Sequence, residues 1–460
     1  MPVASWLKVC HLLVLCVTPA FRCSLAAVSD STKSGFDDQD TCTYTVVETI
    51  PEGLNFSSEC PEHLSTFDAW RALINMSTSE IKIASFYWTL LDSLTAYPSS
   101  SLGAQIYREL LHAGVNRSID IKITQNAPSR KFPNFDSQLL EGKGAAKVRN
   151  LNLTRLGHNG VLHSKFWTVD GRHAYIGSAN MDWRSLAQVK EVGVLMKNCR
   201  RIVNDLEKIF EVYWEMSDEN AKLPIKWTAN LSTSINSSSP ARLDLNGTST
   251  LTYISSAPPY FTAPGRTGDI DAIVDIISKA KQFVYVAVMN YLPIEYYSKP
   301  KRYWSLIDDA LRRAAIENGV RVRLLVSKWN KTKPLTWNFV ESLASLNSSG
   351  ISIEVKAIVI PAFTEEQRKT PYARVNHQKM MVTDTTAYIG AAWIFAPSRP
   401  LMKKQPHRRH RRPWNRKLRA ISDGTLWSPC PRYTWMSLRA TTPFFPLRDI
   451  FNVPTCIGKN

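Results

Sequence analysis

The sequence predicts an α/β protein of two similar halves, each a mainly parallel sheet flanked by helices. Three observations carry that expectation. The pattern His-x-Lys-x4-Asp occurs twice, as His163, Lys165 and Asp170 and as His377, Lys379 and Asp384, and each copy leads into an aromatic-Ile-Gly step (Tyr175-Ile176-Gly177 and Tyr388-Ile389-Gly390). Two matches at one spacing read as an internal repeat. Strand-like and helix-like stretches alternate in the same order around both copies. Finally, 460 residues with 44% apolar composition can bury a large core.

Taken in order, residues 1–29 place Lys8 before the apolar run CHLLVLCVTPAF and small residues at Ser24 to Ala27. That run is short for a membrane span and reads as a signal peptide or signal anchor, so the chain is expected in the secretory pathway. Nine Asn-x-Ser/Thr sequons agree, at Asn55, Asn75, Asn116, Asn152, Asn230, Asn236, Asn246, Asn330 and Asn347.

The first half is expected over 30–215. Ile81 to Trp88 reads as a buried strand, AQIYRELLHAG as a helix ending at Gly114, and SIDIKIT and AAKVRNL as strands before the first motif. After the motif, Ile202, Val203, Leu206, Ile209, Phe210 and Tyr213 fall at helical spacing. Residues 216–250, rich in Ser, Thr, Asn and Pro with three sequons, read as an exposed glycosylated connector. The second half, 251–396, repeats the order: FVYVAVMNYLP, a helix stopped at Gly319, the strands VRVRLLVS and ISIEVKAIVI, then the loop KTPYARVN that delivers His377. Beyond it the pattern breaks. Gly390-Ala391-Ala392-Trp393 stands where the first half has Gly177-Ser178-Ala179-Asn180, and no counterpart of the strand VKEVGV or of its following helix is legible. Residues 397–460 read as a divergent, basic, largely disordered tail.

Charge and spacing point to an anionic substrate. The net charge is +18, of which ten Lys or Arg fall between Arg399 and Arg419, leaving +8 for the body. Residues two apart on a strand share a face, so His163 and Lys165 point the same way, as do His377 and Lys379. Facing each other, the halves would hold a phosphate between two imidazoles and two ammonium groups. A phosphodiester needs its charge neutralised, a nucleophile, and a proton for the departing oxygen. These four side chains cover those needs without a metal or other cofactor. No Cys-x2-Cys pair suggests zinc.

At these residues the chain resembles the phospholipase D superfamily. The stretches ASFYWTL, VLHSKFW, GSANMDWRSL, VMNYLP, GVRVRLLVS and YARVNHQKM are similar to the phospholipase D3 and D4 group over roughly residues 43–393. The resemblance implies an active site at a pseudo-twofold interface, with His163 as nucleophile, forming a phosphohistidine, and His377 as general acid. It implies that Lys165 and Lys379 grip phosphate oxygens, that Ser178 and Asn180 help hold or orient the phosphate, and that Glu191 orients a histidine. Asp170 and Asp384 would support the site from behind or serve the fold alone. It also suggests a Cys42–Cys199 disulfide, whose connectivity spacing does not give. The implied activity is a lysosomal 5′ to 3′ exonuclease on single-stranded DNA or RNA, with phospholipid transphosphatidylation as the alternative. Phe86, Tyr87, Trp88, Trp183 and Tyr291 are candidates for stacking on bases. Partners expected are the nucleic acid or phospholipid substrate, a membrane through the N-terminus, and a second copy in a homodimer. The altered C-terminus removes polar side chains expected around the phosphate and, on this reading, leaves His377 without its carboxylate, which would impair catalysis or leave a binding protein.

Overall fold

The computed structural model describes residues 42–55, 62–91, 97–158, 160–246, 248–295, 300–391 and 434–440. The expected targeting segment, the basic run 399–419, Cys60, Cys430 and Cys456 lie outside the described residues. No helix among those described is long and apolar enough to cross a membrane.

The first sheet draws on β1 (Thr43–Thr49), β2 (Leu64–Ser65), β3 (Glu80–Ser85), β5 (Asp120–Asn126), β6 (Lys147–Leu151), β7 (Phe166–Val169), β8 (His173–Gly177) and β10 (Glu191–Lys197). The short β4 (Trp88–Thr89) and β9 (Met181–Asp182) pair separately. Around them run α1 (Thr66–Met76), α2 (Ser100–Val115), α3 (Phe135–Gly142), α4 (Trp183–Ala187) and α5 (Arg200–Met216). The second sheet draws on β11 (Ala241–Leu245), β12 (Thr248–Ser256), β13 (Phe283–Val288), β14 (Arg321–Ser327), β15 (Ile353–Ile358), β16 (Lys379–Thr383), β17 (Thr386–Gly390) and β18 (Thr434–Ala440). Its helices are α6 (Asp269–Lys279), α7 (Leu306–Ile316), α8 (Leu335–Ala344) and α9 (Glu365–Lys369).

The strand orders are β2-β1-β10-β8-β7-β3-β5-β6 and β11-β12-β18-β17-β16-β13-β14-β15. Position by position the two sheets correspond, so the repeated motif occupies β7 in one and β16 in the other. The parallel pairing expected from β–α alternation holds for β3-β5-β6 and β13-β14-β15. The motif strands pair antiparallel with both neighbours, because short turns rather than helices join β7 to β8 and β16 to β17.

Local chemistry explains the elements that position the site. In α5 the apolar stripe read from the sequence is buried, with Ile202, Val203, Leu206 and Phe210 fully enclosed in a core shared with Met380, Ala387 and Ile389 of the second sheet. Cys42, just before β1, is disulfide-bonded to Cys199, which caps α5. Helix α2 runs past Gly114 to Val115. Gly114 is required for close packing, since a Cβ there would lie 2.1 Å from the Ala145 carbonyl oxygen. Gly319, with φ of +62°, does end a helical segment in the left-handed conformation.

Two expectations are corrected. Residues 216–250 are not simply an exposed connector: they contain β11 and the start of β12, and Trp227, Leu231, Ile235, Ala241 and Leu245 are buried in the shared core. Apolar residues spaced among the Ser and Asn supply that anchoring. The tail also contributes structure, because β18 fills the position between β12 and β17 that β10 fills between β1 and β8. The second half therefore has its counterpart of the VKEVGV strand, separated from β17 by a long insertion that hides it from sequence reading.

Candidate active site

A ladder between the halves sets the geometry. Arg374 N–H donates to the Gln188 carbonyl at 3.0 Å, Lys190 N–H to the Val375 carbonyl at 3.0 Å, and His377 N–H to the Lys190 carbonyl at 2.8 Å. This parallel strip carries His377 to the start of β10, where Glu191 begins the strand. His163 reaches the same place from the segment before β7. Both histidines line one cleft of about 480 Å³, with Asn180, Glu191 and Lys379 in the wall.

Glu191 is fully enclosed and is held from three sides. Ser178 Oγ donates to its Oε2 at 2.5 Å, Ser185 Oγ to its Oε1 at 3.0 Å, and its two oxygens lie 2.9 and 3.0 Å from His377 Nδ1. Burial pushes the carboxyl up, but His377, Lys379 and Ser178 outweigh it and hold Glu191 below the ordinary carboxylate range. Burial also holds His377 below the ordinary imidazole range, and Glu191 restores only part of the shift. A neutral His377 beside an ionised Glu191 donates through Nδ1 and leaves the lone pair on Nε2. The expectation that His377 would lose its carboxylate is thus overturned: the carboxylate comes from the opposite half.

His163 is held differently. Its Nδ1 lies 2.7 Å from Lys165 Nζ, which also donates to the His163 carbonyl at 2.5 Å, and its ring packs on Phe86 at 4.8 Å between centroids. An ammonium only donates, so Nδ1 accepts and the proton of neutral His163 resides on Nε2.

Lys379 is 3% exposed, and its Nζ makes no hydrogen bond among the described residues. Burial pushes its pKa down to about 7, with Glu191 opposing. Asn180 Oδ1 is likewise buried without a partner among the described residues, and a half-turn of that amide would present its N–H₂ instead. A buried cation and an amide facing one cleft are the groups an anion would satisfy.

The two motif aspartates lie elsewhere. Asp170 accepts from the backbone N–H groups of Thr78, Ser79 and Glu80 and from both hydroxyls, at 2.7 to 2.9 Å. Asp384 accepts from the N–H groups of Lys281 and Gln282 at 3.0 and 3.1 Å. Each sits at the far end of its motif strand from the histidine and pins the start of the neighbouring strand, β3 or β13. Grouped with the catalytic motif and open between support of the site and service to the fold alone, both aspartates make anchoring contacts of the second kind.

Ser178 is also reassigned, since its hydroxyl serves Glu191 and not the open cleft. Ala391 stands at the equivalent point of the second half. The described part of β18 begins at Thr434, with Trp435 opposite Gly390 as Gly193 is opposite Gly177.

Of the proposed stacking residues, Phe86 and Tyr87 line the cleft. Trp88, Trp183 and Tyr291 are buried, engaged respectively with Ser85, Tyr97 and Asp308. Sequence reasoning missed Ser185, Asp182 and the rim formed by Lys131, Phe132, Trp329, Lys331, Lys333 and Tyr372. The rim residues come largely from two equivalent loops, β5 to α3 and β14 to α8. Each loop has basic residues beside an aromatic and a proline before its helix, a shared signal that comparison of the two halves could have exposed.

Comparison with known proteins agrees with this architecture. Residues 57–363 match the family described as PLD3/4, PLD-like domain. The chain is 47% identical over 357 residues to the 5'-3' exonuclease PLD3 of Xenopus tropicalis, covering 77% of this chain and 72% of that protein. It is 40% identical over 356 residues to the 5'-3' exonuclease PLD4 of Mus musculus, covering 77% and 70%. In fold it is similar to the phosphatidylserine synthase of Haemophilus influenzae Rd KW20, with a TM-score of 0.50 at 11% identity over 91% of this chain and 86% of that one. The repeated histidine motif, the paired sheets and these matches agree: the chain belongs to the PLD3/4 family of phospholipase D-like proteins.

Proposed function

We propose that this protein is a luminal 5′ to 3′ exonuclease on single-stranded DNA and RNA that works through a phosphohistidine intermediate. Relatives at 47% and 40% identity are named 5'-3' exonucleases. The observation that carries the reading is the meeting of His163, His377 and the buried Lys379 ammonium in one cleft. Hydrogen bonding supports opposite roles for the histidines, in the reverse of the order the resemblance implies.

His377, with its Nδ1 proton held by Glu191, attacks phosphorus through Nε2. The P–N bond forms, the bond from phosphorus to the departing strand's oxygen breaks, and His163 Nε2–H protonates that oxygen while the Lys165 ammonium, 2.7 Å from Nδ1, passes a proton to Nδ1 and keeps the ring neutral. Water then attacks the phosphorus, Nε2 of the neutral His163 takes its proton as Nδ1 returns one to Lys165, and the P–N bond breaks to regenerate His377. Lys379 and the Asn180 amide stabilise the charge on the non-bridging oxygens. Lys165 contributes by holding His163. One histidine attacks and the other supplies a proton, and the buried Glu191 carboxylate serves the one that attacks.

The Cys42–Cys199 disulfide supports an oxidising compartment. Lys379 is charged below about pH 7, which suits the acidic endolysosomal lumen. The test is digestion of 3′-labelled single-stranded DNA bearing a free 5′ hydroxyl, at acidic and neutral pH, beside His163→Ala and His377→Ala. Stepwise loss of nucleotides from the 5′ end, reduced about a hundredfold or more in each variant, is expected. Full activity in either variant, or degradation from the 3′ end, would overturn the reading.

A further inference from the structure

We propose that Lys131 and Lys331, on either side of Tyr372 at the mouth of the cleft that Lys333 also lines, form a second anion subsite that binds the phosphate next along the strand from the one being cut. The inference rests on the nucleic-acid reading above and deepens it. A strand attacked at its first linkage has all its other phosphates on the 3′ side, so a second anion subsite in the same cleft can only take the next one in that direction. A single-phosphate ester has nothing to place there.

The convergence is built by the fold. Lys131 comes from the loop between β5 and α3, and Lys331 and Lys333 from the equivalent loop between β14 and α8, so the pseudo-twofold brings the two loops to opposite sides of one opening. Lys131 Nζ lies 4.6 Å and Lys331 Nζ 4.7 Å from the centroid of the Tyr372 ring, with the Arg184 guanidinium 6.0 Å from it. Asp182 pairs with the Arg184 guanidinium at 2.8 Å, so the charges that repel across the ring are the two ammonium groups, one from each half, and a bound phosphate would turn that repulsion into attraction. Tyr372 is held in place for this. Its φ is +61° and that of Arg374 is +52°, a left-handed conformation that bulky residues rarely adopt and that the surroundings must enforce. Arg184 Nη1 donates to the Pro371 carbonyl at 2.7 Å, and Arg374 donates to the carbonyls of Pro361 and Glu52, fixing both ends of the strained turn. A flexible loop with incidental lysines would need none of these ties. Beside the subsite, the Phe132 and Tyr87 rings stack at 4.5 Å and offer an aromatic surface to the intervening base.

The experiment compares three substrates with free 5′ hydroxyls at low salt: a dithymidine monophosphate, a trithymidine diphosphate, and the same trinucleotide with an uncharged methylphosphonate at its second linkage. The readout is the ratio of kcat/KM for each trinucleotide to that for the dinucleotide, measured in the intact protein and in Lys131→Gln/Lys331→Gln. The unmodified trinucleotide is expected to be favoured about tenfold or more in the intact protein, as for a charge-assisted phosphate contact. The methylphosphonate should lose that preference, the double Gln variant should bring the ratio to near one, and Lys131→Arg/Lys331→Arg should restore it. Equal ratios for the charged and uncharged trinucleotides, or a ratio unchanged in the Gln variant, would overturn the subsite while leaving the exonuclease reading intact. Failure of the intact protein to cut any of the three would instead overturn the phosphodiesterase reading on which the subsite rests.

Discussion

Replacing Glu191 by Gln isolates the most specific feature of the site. The amide keeps the shape of the carboxylate and can still accept one serine hydroxyl, but it removes the negative charge that lies 2.9 Å from His377 Nδ1. Two consequences follow from the geometry. A charge-assisted hydrogen bond worth about 1.5–3 kcal/mol becomes a neutral one, or is lost where the amide N–H₂ faces Nδ1–H. An amide that presents its N–H₂ also favours the tautomer with Nδ1 accepting, which puts the proton on Nε2 and blocks attack. The first effect alone costs about 10- to 150-fold in rate, and the tautomer change takes the loss toward 10⁴-fold, as with orienting carboxylates elsewhere. Lys379 changes as well, because Glu191 is what partly restores its pKa, so its ammonium should be lost at still lower pH. The assay is single-turnover cleavage of 5′-hydroxyl oligonucleotides at pH 5 and 7.5, with near-ultraviolet circular dichroism to verify folding. A folded Glu191→Gln protein with a rate within about threefold of the parent would refute the assignment of His377 as the carboxylate-held nucleophile.

Other consequences are independent of that one. Lys379 has its pKa lowered to about 7 from 10.5, so its ammonium is present below that pH and lost above it; kcat/KM should fall as pH rises through about 7, and Lys379→Arg, which stays charged, should remove that alkaline limb whatever its absolute rate. Asp170→Ala should destabilise the chain by about 1–3 kcal/mol through lost hydrogen bonds to the start of β3 while the folded fraction keeps its kcat, read by urea unfolding beside activity. Because the Asp170 pKa is depressed to about 2, its contribution is complete above the unfolded value near 3.8 and is lost only as pH falls toward 2, so stability near pH 5 should still draw on it in full. Replacing both Cys42 and Cys199 by Ser should lower stability by about 2–5 kcal/mol, measured by the midpoint of denaturant unfolding without reductant.

Much of this was legible in the sequence because it follows from period and repetition. The doubled His-x-Lys-x4-Asp pattern located both motif strands, the 3.6-residue spacing located α5, and the period-2 alternation put each histidine and lysine on one face. Three kinds of information were not local. Whether Glu191 serves its own half or the other depends on the ladder formed by 188–190 with 374–377, which no spacing encodes. The role of Asp170 and Asp384 stayed open although a five-residue step from the lysine along an extended strand carries a side chain about 16 Å away, out of the cleft altogether. The strand β18 was missed because a long basic insertion separates it from β17, and sheet neighbours need not be sequence neighbours. Trp88, Trp183 and Tyr291 were misassigned for a different reason: an aromatic at a strand end packs inward as readily as outward, and composition does not say which.

In the proposed mechanism the two halves place two histidines on one phosphorus, with His377 attacking and His163 handling the proton. Thymidine 3′-(4-nitrophenyl phosphate) tests it most directly, because nitrophenolate departs without protonation and the first step no longer needs an acid. In rapid-quench reactions His163→Ala should release about one equivalent of nitrophenolate per enzyme in a burst and retain a phosphonucleoside adduct on the peptide containing residue 377, while His377→Ala should give neither. A burst and an adduct on residue 163 in His377→Ala, or no adduct in either variant, would rule out His377 as the nucleophile.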